Sequence, residues 1–349
     1  MWGKTKPSFR ILAIGLTIIA LAVFVFPSFA QDEEEPDPDA EAVEEVEVVE
    51  PVPQIFITGN DVTSPPSAAI HVYGRDLEGK SIDFTKDPLI LRHEGITIDS
   101  TVADSFPFGT FTVFLIDLPL GVEEQLPAIQ EAIQQFAGPN GGMVEQTDTI
   151  AIYQVGETAP KQLLAPTTFY NEVQNFFVDG LTPEEGSTAL RDSIAILLDE
   201  VEGLKPSEEI STSIVVMSDG TDVVSTEYEV EDIVQSALEK NIPVNTIRVP
   251  LTGLTVAQIQ QGEGFLQDVA VSTLGSAALL EEGESVSDLW NRIASFRNHF
   301  RVRFETDSLG GGIFNVVLSL ASDPAVNDSV TVETVSYTHL TLPTNRVAG

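Results

Sequence analysis

The sequence contains no cysteine. That absence removes disulfide frameworks, thiolate metal ligands, iron–sulfur clusters and cysteine nucleophiles together. Histidine is nearly as scarce: His71, His93, His299 and His339 are scattered, and none has a second histidine at ligand spacing. A histidine-built zinc site would have to be assembled from distant positions. Bases are also few, with 17 Lys and Arg against 54 Asp and Glu, for a net charge of −37. So acidic a chain repels phosphate backbones and anionic headgroups, which argues against a nucleic-acid partner. There is no phosphate loop of the form G-x-x-x-x-G-K-S/T and no G-x-S-x-G nucleophile elbow. Gly262 and Gly264, in QQGEGFL, follow no clear strand. What the chain does have is apolar material: 42% hydrophobic residues over 349 positions fill a core and accommodate two ordinary domains.

Both ends read as something other than folded domain. Residues 1–30 carry Lys4, Lys6 and Arg10, then a sixteen-residue apolar run at 11–26, then Pro27-Ser28-Phe29-Ala30. This is the three-part layout of a secretory signal peptide. The alternative is an uncleaved N-terminal membrane anchor, since sixteen helical residues reach about 24 Å against a hydrocarbon core of roughly 30 Å. Residues 31–52 follow as an acidic linker, with eleven acids and no base in 31–50; such a segment repels itself and lacks the apolar surface to fold. Without the leader and this stretch the remainder still carries −29. At the far end SYTHLTLPTN is unlike what precedes it and resembles a translated sequencing adapter, so 336–349 is expected to be a scar.

Between these ends the hydrophobic pattern changes twice. Residues 53–105 show short alternating runs broken by turn residues (QIFIT, AAIHVYGRD, SIDF, PLILRHEG, ITID), which predicts a small antiparallel β domain. His71 and His93 fall on these strands, where exposed or edge positions are expected. Over 109–298, wholly apolar strands (TVFLIDL, DTIAIYQV, TSIVVMSD, PVNTIRVP) alternate with amphipathic helices. Strands that are apolar on both faces imply a mostly parallel sheet covered on both sides, hence a doubly wound α/β domain. Residues 299–335 return to alternation and supply strands that can complete the N-terminal β unit. Trp290, Phe296, Phe300, Phe169, Phe176 and Phe177 read as core contacts; Arg292, Arg297, Arg301 and Arg303 read as a solvated face, or as a dock for the acidic linker.

In an open α/β sheet, ligands gather at the carboxyl ends of the parallel strands. Three segments qualify: FLIDLPLG with Asp117, EEGSTALRDSI with Ser187 and Thr188, and VVMSDGTD with Asp219. Each also has a plain structural reading: Asp117 and Ser187 or Thr188 as helix N-caps, Asp219-Gly220 as a turn. Taken together and in this order, FLID, DTIAIYQV, GSTALRDSIAILLDEV and SIVVMSDGTD resemble the von Willebrand factor A (VWA) domain across nearly the whole α/β unit. The flanks, AAIHVYGRDLEGKSIDF and LWNRIASFRNHFRVRFE, are similar to those of extracytoplasmic bacterial members.

The resemblance implies a metal-ion-dependent adhesion site, with Asp117, Thr188 and Asp219 around Mg²⁺ or another divalent cation whose open position takes an acidic group of a partner. A hard cation of this kind wants about six oxygens and readily retains water. The sequence departs from the pattern where the two motif serines should stand, since it has Pro119 and Gly121, which offer no side-chain oxygen. Asp222 and Ser187 are available substitutes. A haloacid-dehalogenase-type phosphatase also needs a second Asp two residues after the first, and Pro119 occupies that place. No enzymatic activity is expected. The implied function is an exported binding module at the cell envelope, engaging a protein or glycan; the alternative is an envelope scaffold with a vestigial metal site. A periplasmic small-molecule binder would need two α/β lobes.

Overall fold

The computed structural model describes residues 52–64, 67–183, 186–207, 209–306 and 312–334. The leader, the acidic linker as far as residue 51 and the adapter-like tail lie outside them.

Among the described residues five strands come first: β1 (Gln54–Ser64), β2 (Ser67–Arg75), β3 (Leu89–His93), β4 (Ile96–Ile98) and β5 (Ser100–Pro107). Three come last: β12 (Asn298–Glu305), β13 (Gly312–Leu320) and β14 (Asn327–Thr334). They interleave as two antiparallel four-stranded sheets, β1-β2-β12-β5 and β14-β13-β3-β4. Ile70, Val72 and Leu91 from the first segment share one core with Val302, Val316, Leu318 and Val332 from the last, all fully buried. The α/β unit is therefore inserted between β5 and β12. Glu94 and Gly95, at φ 47° and 80°, make the tight reversal from β3 to β4.

The inserted unit runs β6 (Thr110–Ile116), α1 (Leu126–Phe136), β7 (Thr149–Gln154), β8 (Lys161–Thr167), α2 (Tyr170–Phe176), α3 (Leu190–Leu204), β9 (Ser211–Ser218), α4 (Val230–Lys240), β10 (Val244–Arg248), α5 (Val256–Ser272), β11 (Ala277–Leu279) and α6 (Gly283–Ser295). Its sheet has the order β11-β10-β9-β6-β7-β8, parallel except at the β7/β8 edge. Alternate residues of β6 feed opposite cores: Phe114 and Ile116 face α1 and α6, whereas Phe111, Val113 and Leu115 face α3 and α5. Burying each such side chain contributes roughly 1.5–3 kcal/mol. This doubly wound sheet is the expected fold class.

The chain leaves β6 toward β7 and β8, then returns to the other side of β6 to lay down β9. Strand order therefore reverses beside β6, and the crevice of such a sheet opens at the carboxyl ends of β6 and β9. Asp117 directly follows the first and Asp219 the second.

Several local readings change. SIDF is not a strand: only an isolated Arg75–Ser81 bridge follows the Asp76 turn, and Phe84 instead plugs the β core at 1% exposure. Helix α5 begins at Val256, because Thr255 and Gln258 form a capping box ahead of its polar first turns. Neither His71 nor His93 is on an edge, since β2 lies between β1 and β12 and β3 between β13 and β4. Phe169 is exposed, whereas Trp290, Phe296 and Phe177 are buried and Phe300 packs on Phe84.

The arginine run is not a solvated face, because only Arg303 is exposed. Arg301 stacks its guanidinium over Phe106, 4.6 Å from the ring centroid, and Arg292 donates to the Glu78 carbonyl. Arg297 clamps the buried Asp148 through Nε (2.8 Å) and Nη2 (2.6 Å), while the same carboxylate accepts from Thr110 N (2.8 Å) and Val144 N (2.6 Å). This pair pins both crossings between the β unit and the α/β unit.

Candidate functional site

Asp117 continues the β6 ladder, its N–H donating to Met217 O (2.9 Å), and its side chain is 1% exposed. Eight residues separate it from the start of α1, so it caps no helix. Its Oδ2 accepts from Ser218 Oγ at 2.7 Å, and Thr188 lies close enough to work, with Ser218, against the rise in its pKa. Its Oδ1 is buried without any hydrogen-bond partner. Burial pushes the acid up to about 7, and the charges of Asp219 and Asp222 add to the effect. The three carboxylates therefore share one electrostatic environment.

Asp219 is 5% exposed and forms the expected turn: Oδ1 accepts from Thr221 N (3.0 Å) and from Thr221 Oγ1 (2.9 Å). Burial raises its pKa too. The turn is held from below, because Gly220 has φ +82° and a Cβ there would lie 2.2 Å from Gly262 O. A Cβ on Gly262 would in turn meet Asp219 O at 2.4 Å. These glycines let α5 approach the loop after β9 at backbone contact distance, a role their spacing in QQGEGFL did not disclose.

Thr188 precedes α3, whose N-cap is Ala189 without a side-chain cap, so neither Ser187 nor Thr188 caps it. Ala189 N instead donates to Gly156 O (2.9 Å), docking this segment beside the end of β7. Ser187 and Thr188 border a cleft of ≈320 Å³ with Glu157 and Lys161.

The rest of the GSTALRD motif acts on the loop after β9. Arg191 donates to Asp222 Oδ2 from N (2.9 Å) and Nε (3.2 Å), and also pairs with Glu229. Asp192, 4% exposed, accepts from the backbone N–H groups of Thr226, Glu227 and Tyr228 at 3.1–3.2 Å. Burial works against ionisation of Asp222, but hydrogen bonds from Ser225 and Arg191 outweigh it and lower its pKa. Asp222 is therefore already committed to Arg191, whereas among the described residues no basic side chain pairs with Asp117 or Asp219.

The sequence-selected residues Asp117, Thr188 and Asp219 thus converge, and Ser218 joins them. Ser218 stood in the quoted VVMSDG but carried no role; its signal was a hydroxyl beside an acid at a strand end. Pro119 and Gly121 supply no side-chain oxygen; Pro119 O accepts from Val122 N (3.2 Å), and Gly121 has φ +99° in open space. The donor set suits a hard cation rich in retained water: two carboxylates, one of them with its Asp117 Oδ1 buried and unpartnered, and the Thr188 hydroxyl. No group of three or more His, Cys, Asp or Glu side chains placed to hold a metal occurs among the described residues, so such an ion would rely on hydroxyl and water oxygens.

No protein-family model and no curated protein matches the sequence. Solved structures do. The VWA domain of SpRpn10 aligns over 53% of this chain and 97% of its own, at 15% identity and a TM-score of 0.36. Proximal thread matrix protein 1 from the mussel byssus, with a zinc-occupied MIDAS motif, aligns over 59% of this chain at 13% identity and TM-score 0.40; the alignment spans about half that protein (49%). The manganese-loaded Plasmodium vivax TRAP protein aligns over 68% of this chain and 99% of its own, at 12% identity and TM-score 0.41. By its strand order, its single antiparallel edge strand and its two helical layers, the inserted unit has a VWA-like fold.

Proposed function

We propose that this chain is an exported, non-enzymatic binding module of the cell envelope, recognising an acidic group of a protein or glycan partner through a weakly held divalent cation at the carboxyl end of its parallel sheet. One observation carries the reading: Asp117 is a fully buried acid with one oxygen unpartnered, beside a second buried acid, Asp219, at the reversal of strand order. A divalent cation there offsets the cost of holding two such carboxylates together. Asp117, Asp219 and Thr188 are the residues that would hold it, and its chemistry is to offer an open coordination position to an incoming carboxylate. Leu120 and Val223, 62% and 83% exposed on the loops after β6 and β9, would supply apolar contacts around that position. Export rests on the leader layout of residues 1–30, and a protein or glycan partner on the resemblance described above.

The test is calorimetric titration of Mg²⁺ and Mn²⁺ into the chelator-stripped full chain and its Asp219→Ala variant, with thermal unfolding to establish that the variant folds. Saturable heat in the millimolar range or tighter, lost in the variant, is expected. Heat equal to buffer, or equal in both proteins, removes the cation from the mechanism. The missing serine hydroxyls at Pro119 and Gly121 favour that second reading, in which the hydrogen-bonded acids only fasten loops and the protein is an envelope scaffold.

A further inference from the structure

At the opposite end of the parallel sheet a second charged group lacks a counter-charge. Arg75, the last residue of β2, is 2% exposed. Its guanidinium lies between two aromatic faces, 4.8 Å from the Phe296 centroid and 5.9 Å from that of Phe56. Nε has no hydrogen-bond partner, and among the described residues the one ionisable group acting on this side chain is the Tyr73 phenol, not a carboxylate. Arginine does not give up its proton in proteins, so a full positive charge sits in the interior. Two cation–π contacts offset only part of the cost of taking the ion out of water.

The guanidinium borders a small cavity lined also by Thr110, Ser211, Ser213, Asn245 and Arg292. Thr110 and Ser211 open β6 and β9, so the cavity sits at the amino ends of the strands, away from Asp117 and Asp219. The lining has two guanidinium groups and three hydroxyls but no carboxylate, and the Asn245 amide oxygen is already taken by Ser276 N (3.1 Å). The Thr110 hydroxyl is buried without a partner. Burial raises the pKa of the neighbouring Tyr73 phenol, so it stays neutral and supplies no counter-charge. The space is small, ≈10 Å³, which favours a monatomic anion over sulfate, phosphate or a carboxylate.

We propose that Arg75, with Thr110 and Ser213, forms a buried binding site for a single monovalent anion of the halide class, which completes the junction between the β unit and the α/β unit. A water molecule could accept the same hydrogen bonds but would leave the charge uncompensated.

The experiment is thermal unfolding of the full chain in gluconate, with chloride or bromide replacing gluconate at constant ionic strength, and sulfate as a control that stabilises without entering a site. A halide held with a dissociation constant of about 10 mM raises the midpoint by about 3 °C at 100 mM, with saturation. Arg75→Gln should lose the halide response and retain that to sulfate. If Arg75→Gln does not fold, Thr110→Val, which keeps shape and removes one donor, should raise the half-saturating concentration several-fold. Crystals soaked in bromide should show an anomalous peak within hydrogen-bond distance of Arg75. A midpoint indifferent to halide, a response unchanged in the variants, or no bromide peak at Arg75 each overturns the proposal.

Discussion

The most direct test of the packing concerns His299. Its side chain is fully buried on β12 in an aromatic nest, with ring centroids 4.7 Å from Phe108 and 4.9 Å from Tyr73. Nδ1 lies 3.1 Å from Thr58 Oγ1, and Nε2 has no partner. Burial, with the charge of nearby His71 behind it, pushes the imidazole down to about 4. Unfolded histidine titrates near 6.5. Between those values the unfolded chain holds one more proton than the folded chain, so stability rises with pH and is lost on acidification through this window. A gap of two to three pH units is worth about 3 kcal/mol. For a folded region of this size that is a fall of roughly 6–12 °C in the unfolding midpoint from pH 7 to pH 4. Other acids titrate in the same range, so the informative quantity is the difference from His299→Phe, which keeps a ring in the nest and cannot charge. The variant should lose about 1 kcal/mol at pH 7 with the Thr58 hydrogen bond. It should then unfold at a higher midpoint than the parent at pH 4.5. Parallel midpoint curves across this range would show that His299 does not titrate on unfolding, and would refute the argument.

Three further outcomes are expected. Arg297→Ala leaves the Asp148 carboxylate buried and unpaired and should cost about 3–5 kcal/mol in chemical denaturation, more than Arg303→Ala, whose side chain is exposed. Gly220→Ala forces a side chain into a left-handed backbone 2.2 Å from Gly262 O and should cost about 2 kcal/mol or more; Gly121→Ala, with similar φ but open space, should cost about 1 kcal/mol, a contrast readable by thermal unfolding. In chelator, Asp117→Asn should stabilise the protein increasingly as pH rises from about 4 to about 7 and by a constant amount above that, because the folded acid is pushed up to about 7 while the unfolded acid ionises near 3.8. A pH-independent difference between Asp117→Asn and the parent would contradict that account.

How much of this could be read beforehand depended on how locally each feature is encoded. Strands β6, β7 and β9 are buried on both faces, so their apolar runs were legible without knowing their neighbours. Strand β5 was not: STVADSFP has a weak pattern, and its pairing partner β12 lies almost 200 residues further on. The Arg297–Asp148 clamp spans 149 positions, and nothing at either end announces the other. At the candidate site, strand-end acids and the GSTALRD motif could be picked out singly. The work of Arg191 and Asp192 in holding the loop after β9 became visible only from the distances.

The insertion of the α/β unit between β5 and β12 also orders events during synthesis. When a ribosome has made the first five strands, β2 and β5 still lack β12, and β3 still lacks β13. Their ladder groups and apolar faces stay uncovered until nearly 200 more residues have emerged. The inserted unit, whose parallel contacts lie within its own span, can condense in the interval. Doing so brings Gly109 and Arg297 together, with Phe108 N donating to Arg297 O at 2.9 Å, and delivers β12 to the gap between β2 and β5. The inserted unit thus acts as a splint for the β unit, and loosening it should expose β1 through β5 to pairing with other chains before the β unit itself is damaged.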